Sequence, residues 1–97
     1  MIIKLLKKEE YILGDWCYVL IQLYKNKANG KYEVKLFARN DLLKERLRWE
    51  ANYEELKYAT VCYDNWKNIF IELPKELEEE MGEPKLKEKY METYKAL

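Results

Sequence analysis

The chain of 97 residues contains no histidine and no serine, and its one glutamine is Gln22. These absences exclude nucleophile systems built on Ser or on a His general base. Two cysteines without histidine are too few ligands for a zinc site. The three glycines, Gly14, Gly30 and Gly82, are isolated from one another, which excludes a glycine-rich phosphate loop. The sequence therefore predicts a protein that is not an enzyme, with no catalytic residue, cofactor or metal ligand.

Long apolar runs are also missing, and none approaches the roughly 20 residues that span a bilayer. The opening MIIKLLKKEEYILGD has charges within its apolar stretch and no small-residue cleavage site, unlike a signal peptide. Basic and acidic residues balance at 18 each, so total charge provides no drive toward nucleic acid or membrane. The length and composition predict one cytoplasmic domain without a membrane partner.

Lysine and glutamate are abundant, whereas thermolabile residue types are few. Enrichment in Lys and Glu is typical of heat-adapted proteins. The composition favours an origin in a thermophile, an archaeon or one of its viruses or plasmids. An AT-rich genome, which biases codons in the same direction, is the alternative explanation.

Residues 15–39 are the stretch that specifies its own geometry. The pair Asn29-Gly30 lies between two apolar runs, which is typical of a β-hairpin with a two-residue turn. This turn places Leu23 opposite Leu36. Side chains alternate across a strand, so one face of the hairpin is wholly apolar and is predicted to form the core: Cys17, Val19, Ile21, Leu23, Val34, Leu36 and Ala38.

The other face of this hairpin carries the aromatic side chains Trp16, Tyr18, Tyr24 and Phe37. Either a helix of the same chain or a second subunit is expected to cover so aromatic a face. Tyr and Trp are enriched at protein interfaces because they combine a large contact area with a polar group. We interpret these four residues as a protein interface and predict a homodimer.

The remaining elements are predicted from periodicity and from turn residues. Residues 1–13 fit a helix that stops at Gly14, and a strand at Ile2–Leu6 is the alternative. Good helix formers without Gly or Pro predict a helix over 41–58, capped by Asn40 or Asp41. Two β-rich runs predict a second hairpin over 60–73. A charged helical segment, 74–97, begins at Pro74 and is interrupted at Gly82.

Both cysteines lie in apolar runs, and the sequence contains nothing that would activate them. Cys17 and Cys62 are predicted to be small buried hydrophobic residues. Whether they form a disulfide stays open at this point. The acidic run Glu78–Glu80, with Glu76 and Glu83 nearby, lies in the helix predicted after Pro74, where negative charge near the start is favourable, and is interpreted as a solvated helix start.

Two features predict an alternative function, a small DNA-binding regulator. Arg39, Lys44 and Arg48 could form one basic patch on the predicted helix and its start. The stretch NIFIELPKELEEEMG resembles the strand–Pro–helix opening of ribbon-helix-helix regulators and the LPKEL stretch of AbrB-type domains. The first resemblance implies a β-ribbon over 67–73 that reads the major groove.

Together these observations predict an α+β fold: one small domain in which antiparallel hairpins form one sheet, helices pack on it, and a charged helix ends the chain. The predicted function is a non-enzymatic interaction protein, a homodimer through its aromatic sheet face. The alternative is the DNA-binding regulator.

Overall fold

The computed structural model describes residues 2–96 and confirms the α+β fold. The first half of the chain forms four strands: β1 Ile3–Leu13, β2 Cys17–Asn26, β3 Tyr32–Asn40 and β4 Glu45–Tyr53. The second half is helical: α1 Leu56–Lys67, a π-helical segment Asn68–Glu72, α2 Leu73–Met81 and α3 Glu83–Ala96. The strands form one antiparallel sheet in the order β1-β2-β3-β4.

The helices pack against one face of this sheet, which we call the core face. The Tyr63 hydroxyl of α1 donates to Glu9 Oε1 of β1 (3.3 Å), and Tyr11 of β1 donates to Glu78 Oε2 of α2 (3.2 Å). The core residues predicted from the central hairpin are all buried beneath the helices, which confirms that face: Cys17, Val19, Ile21, Leu23, Val34, Leu36 and Ala38.

The pairing of the central hairpin differs by two residues from the prediction. Leu23 pairs with Val34 rather than Leu36, because the connection is a four-residue loop and not a two-residue turn. Asn26 closes this loop: its N–H donates to the Lys31 carbonyl (2.8 Å), and its Oδ1 accepts from the Ala28 N–H (2.9 Å). An offset of two residues equals the side-chain period of a strand, so the predicted faces are retained.

The helix predicted over residues 1–13 is wrong, and the alternative of an opening strand is right. β1 pairs along β2 from Ile3 to Leu13, which satisfies the backbone groups of the exposed β2 edge. Gly14 does not end a helix; it begins the turn that joins the two strands. Its φ of +54° favours glycine, and a Cβ there would lie 2.8 Å from Trp16 Nε1.

The helix predicted over 41–58 is also wrong, since most of that stretch is β4. Asn40 does cap, as expected, but it caps a turn: its Oδ1 accepts from the N–H groups of Leu42 and Leu43 at 3.0 and 3.1 Å. Lys44 then takes a positive φ of 53°, which ends the turn and allows β4 to pair along β3. Strand pairing along β3 outweighs the modest helix propensity of these residues.

The second hairpin predicted over 60–73 is wrong as well. α1 buries Ala59, Cys62 and Tyr63 against the sheet, a spacing of three to four residues that matches a helix. The chain then continues through the π-helical segment, which buries Ile71. The β-ribbon implied by the resemblance to ribbon-helix-helix regulators is therefore absent from the described residues.

The predicted helices after Pro74 are present, separated at Gly82, whose φ is +79°. Leu86 of α3 is fully buried. Tyr90 of α3 packs edge-on against Trp16, with ring centroids 5.7 Å apart. Trp16 Nε1 donates to Glu83 Oε1 at 2.9 Å. Trp16 is thus buried under α3, which corrects its predicted position on the exposed aromatic face.

Candidate functional site

The sheet face opposite the helices, which we call the open face, is covered by no helix within residues 2–96. The choice left by the sequence therefore has a divided answer: α3 buries Trp16, whereas no helix of the described chain covers Tyr18, Tyr24 or Phe37. Reading across the strands from β1 to β4, the pairing arranges the open face in rows: Ile12, Tyr18, Arg39, Arg46; then Glu10, Leu20, Phe37, Arg48; then Lys8, Gln22, Lys35, Glu50; then Leu5, Tyr24, Glu33, Asn52.

All three arginines of the chain lie together on this face, and we call them the arginine cluster: Arg39, Arg46 and Arg48. Arg39 and Arg46 pair directly across β3 and β4, and Arg48 follows two residues along β4. The sequence-based patch contained Lys44 instead of Arg46. Lys44 is excluded from the cluster, since its ammonium lies 5.5 Å above the Tyr94 ring of α3.

The arginine cluster is only partly neutralised. Arg39 Nε lies 3.4 Å from Asp41 Oδ1, and its Nη2 donates to the Asp15 carbonyl at 3.3 Å. Neither Arg46 nor Arg48 has a carboxylate within 4.0 Å among residues 2–96. Like charges directly opposite on a sheet destabilise it, so the Arg39–Arg46 pair does not contribute to the fold by its charge.

Arginine, rather than lysine, is the informative residue type here. Of the 18 basic residues only three are arginine. A guanidinium binds phosphate and carboxylate through two parallel hydrogen bonds and stacks on aromatic rings, whereas an ammonium acts as a point charge. A chain rich in lysine thus concentrates its arginines on a single exposed surface. This arrangement suits an anionic ligand with planar groups.

Aromatic rings lie directly beside the arginine cluster. The guanidinium of Arg48 lies 4.8 Å from the centroid of the Phe37 ring, and the Phe37 and Tyr18 rings are 5.9 Å apart. Both rings are half-buried among their neighbours. Tyr24, also half-buried, lies six residues along β2 from Tyr18, about 20 Å away at the rise of a strand. Three of the four predicted interface aromatics therefore lie on the open face, and Trp16 does not.

A shallow groove of about 320 Å³ runs beside Phe37 on the open face. Its side-chain lining combines apolar and polar groups: Leu20, Gln22, Lys35, Phe37, Arg48 and Glu50. Lys35 Nζ lies 3.7 Å from Glu50 Oε1, and both side chains are accessible to solvent. The groove therefore places a hydrogen-bond donor and an acceptor next to a surface on which a ring can stack.

A second cavity, of about 190 Å³, lies between the core face and the helices and includes Cys17 in its wall. Burial raises the pKa of the Cys17 thiol, which disfavours the thiolate that nucleophilic chemistry needs. Cys62 is buried too, and neither Cys17 nor Cys62 forms a disulfide. The prediction that both cysteines are buried hydrophobic residues is confirmed.

Residues 2–96 lack two further features. No helix there has both the length and the apolar character that crossing a membrane requires. No group of three or more carboxylate or thiol side chains in this range is placed to hold a metal ion.

Sequence reasoning missed Arg46, and the reason is the secondary structure assigned to that stretch. On a helix Arg46 and Arg48 point in different directions, whereas on a strand they share a face. The signal was present: apolar residues alternate strictly with polar ones from Arg46 to Tyr53. Comparisons with protein-family models, curated proteins and solved structures found no match to this chain.

Proposed function

We propose that this chain is a non-enzymatic binding protein whose open face binds single-stranded nucleic acid. The observation that carries the proposal is the combination of the arginine cluster with the rings of Tyr18 and Phe37 on one uncovered face. Guanidinium groups bind phosphates, and exposed aromatic rings and guanidinium planes stack on unpaired bases. This proposal keeps the nucleic-acid alternative raised by the sequence but relocates it from a ribbon at 67–73 to the sheet.

The shape of the face favours a single strand over a duplex. Four strands spaced about 4.8 Å apart make a surface some 14 Å wide between the outer backbones, before side chains are added. The DNA major groove, about 12 Å wide, admits a helix or a two-stranded ribbon. Rings that are half-buried in the surface of a sheet reach only bases that have left the stack. A duplex could contact this face through its phosphates alone.

The test is the affinity of the protein for a fluorescently labelled, unstructured oligonucleotide of mixed sequence, measured by anisotropy at two salt concentrations. Three phosphate contacts on a single strand predict a slope of log K against log salt of about −2. The affinity should then fall roughly 20-fold between 50 and 200 mM salt. The duplex of the same sequence should bind more weakly at both concentrations.

Matched variants separate the arginine cluster from total charge. Arg46→Ala combined with Arg48→Ala should weaken binding at low salt and reduce the slope to about −0.7, because one phosphate contact remains. Lys87→Ala combined with Lys89→Ala removes the same charge from exposed positions of α3 and should change neither quantity. Absence of binding at 50 mM salt, or equal effects of the two pairs, would overturn the proposal.

The homodimer predicted from the sequence is the second candidate, and a specific observation supports it. The β1 side of the open face exposes apolar side chains at both of its ends: Ile3 and Leu5, 40 and 46% exposed, lie near Tyr24, and Ile12, 63% exposed, lies beside Tyr18. Exposed apolar side chains along one edge of a sheet face are typical of an interface. Light scattering at micromolar concentration tests this candidate: a monomer mass contradicts it. A dimer through the open face should dissociate when oligonucleotide is added, since both occupy Tyr18 and Phe37.

We also propose a cellular location and an origin, both supported by composition. The protein is cytoplasmic and comes from a thermophile, an archaeon or one of its viruses or plasmids. The support is the abundance of lysine and glutamate with no histidine or serine. A thermal midpoint above the roughly 45–65 °C of mesophile domains is expected. A midpoint within that range would leave codon bias as the explanation.

A further inference from the structure

The groove beside Phe37 has a polar end that is organised across three strands. Gln22 of β2, Lys35 of β3 and Glu50 of β4 form one row of the open face. The neighbouring row, two residues along each strand, contains Leu20, Phe37 and Arg48. Rows two residues apart on a strand are separated by about 6.6 Å. A planar ring stacked in the row of Phe37 therefore presents its edge to the polar row.

The polar row offers complementary hydrogen-bonding groups side by side. The Glu50 carboxylate only accepts, and the Lys35 ammonium only donates. Their N–O separation of 3.7 Å is longer than the roughly 2.7–2.9 Å of a charge-assisted hydrogen bond. Lys35 Nζ also lies 5.5 Å from the centroid of the Tyr24 ring, but an ammonium has three N–H donors, so both charged groups retain hydrogen-bonding capacity for a ligand. Gln22, the one glutamine of the chain, flanks them and both donates and accepts.

From this arrangement we propose that the groove selects guanine among the bases of a bound single strand, an inference that rests on the proposed function. Guanine alone carries two adjacent N–H donors, at N1 and N2, next to an acceptor, O6. The carboxylate of Glu50 accepts hydrogen bonds from both N–H groups, and the ammonium of Lys35 donates one to O6. Phe37, with the guanidinium of Arg48 that covers it, supplies the stacking surface.

The other bases satisfy this row less well. Adenine and cytosine each have one amino group that can donate a hydrogen bond to Glu50. Next to it, where guanine has its second N–H donor, they have a ring nitrogen that only accepts. Thymine and uracil present one N–H between two carbonyl oxygens, one of which faces the carboxylate. A carboxylate next to a carbonyl oxygen is repulsive. Guanine is the base that offers two N–H donors to the carboxylate of Glu50 and, beside them, an acceptor to the ammonium of Lys35.

The experiment compares thymidine nonamers that differ only in the central nucleotide, measured by anisotropy at 50 mM salt. A central guanosine should bind about tenfold more tightly than adenosine, cytidine or thymidine, within the range of roughly 5- to 150-fold that one good bidentate pair provides. Inosine, which lacks the amino group at N2, should lose most of this gain. Equal binding of all strands, or preference for another base, overturns the inference and leaves the proposed function standing.

A matched pair of variants tests the assigned residue. Glu50→Gln should abolish the preference for guanine while the all-thymidine nonamer binds as before or slightly more tightly, because the substitution removes a negative charge. Glu10→Gln makes the same chemical change on β1, on the same face, and should keep the preference. A preference that survives in Glu50→Gln overturns the assignment. If no nonamer binds at this salt concentration, the proposed function fails with it.

Discussion

The repulsion inside the arginine cluster leads to a prediction about stability that is independent of any ligand. Arg39 and Arg46 are directly opposite on β3 and β4, and two unit charges a few ångströms apart in water repel by up to about 1 kcal/mol. Arg46→Gln removes this repulsion with little change in side-chain length. We expect the free energy of unfolding to rise by about 0.2–1 kcal/mol, the usual range for cross-strand pairs.

The assay is thermal and urea denaturation at low ionic strength. For a domain of this size each kcal/mol corresponds to a shift in Tm of about 4–8 °C, so the expected rise is measurable. In 1 M salt, where the Debye length is about 3 Å, the gain should largely disappear. The same substitution should weaken oligonucleotide binding, because it removes a phosphate contact.

Arg48→Gln is the matched control for this prediction. It removes the same charge from the same face of β4, but Arg48 stacks on the Phe37 ring at 4.8 Å. Loss of a cation–π contact at an exposed site costs about 0.5–1 kcal/mol, so this variant should be no more stable than the original chain. If Arg46→Gln destabilises the protein as much as Arg48→Gln does, the argument that the arginine cluster opposes folding is refuted.

Two further predictions concern the helices and the core. Leu86→Ala should destabilise the protein by about 2–5 kcal/mol because the Leu86 side chain is fully buried. Met91→Ala on the same helix should cost far less, because the Met91 side chain is 42% exposed. Equal losses of stability in urea denaturation would show that α3 does not belong to the core. The pKa of the buried Tyr63 hydroxyl is raised, first by desolvation and then by the Glu9 carboxylate, so an unfolded chain releases this proton earlier, near pH 10. The contribution of Tyr63 to stability is therefore complete below about pH 10 and declines above it by roughly 1.4 kcal/mol per pH unit, and Tyr63→Phe should show a shallower alkaline loss; an unchanged slope would contradict this.

The central hairpin shows what local pattern can predict. Its buried and exposed faces were identified correctly, although the loop length, and with it the register, was not. The alternation of apolar and polar residues has a period of two, so an error of two residues leaves every face assignment unchanged. The helices after Pro74 were also predictable, because proline at a helix start and glycine after its end act locally.

The three stretches assigned wrongly share a physical cause. Residues 1–13, 45–53 and 56–72 contain both good helix formers and good strand formers, so propensities that differ by less than about 1 kcal/mol per residue do not decide between them. Pairing decides for the first two stretches: β1 and β4 satisfy the backbone groups on the two edges of the central hairpin. The third stretch must then cover the core face, and a helix with apolar residues every three to four positions does so.

The candidate site, like the fold, depends partly on the sequence alone and partly on the tertiary structure. The sequence by itself determined the chemical types available: no histidine, no serine, three arginines within ten residues, and the aromatic residues Trp16, Tyr18, Tyr24 and Phe37. Only the tertiary structure decided which of these meet. Strand pairing placed Arg39 opposite Arg46 and Phe37 opposite Arg48, and α3 removed Trp16 from the open face by burying it. Side-chain direction follows from backbone pairing, and the pairing of β3 with β4 is a contact that no local pattern in this chain specified.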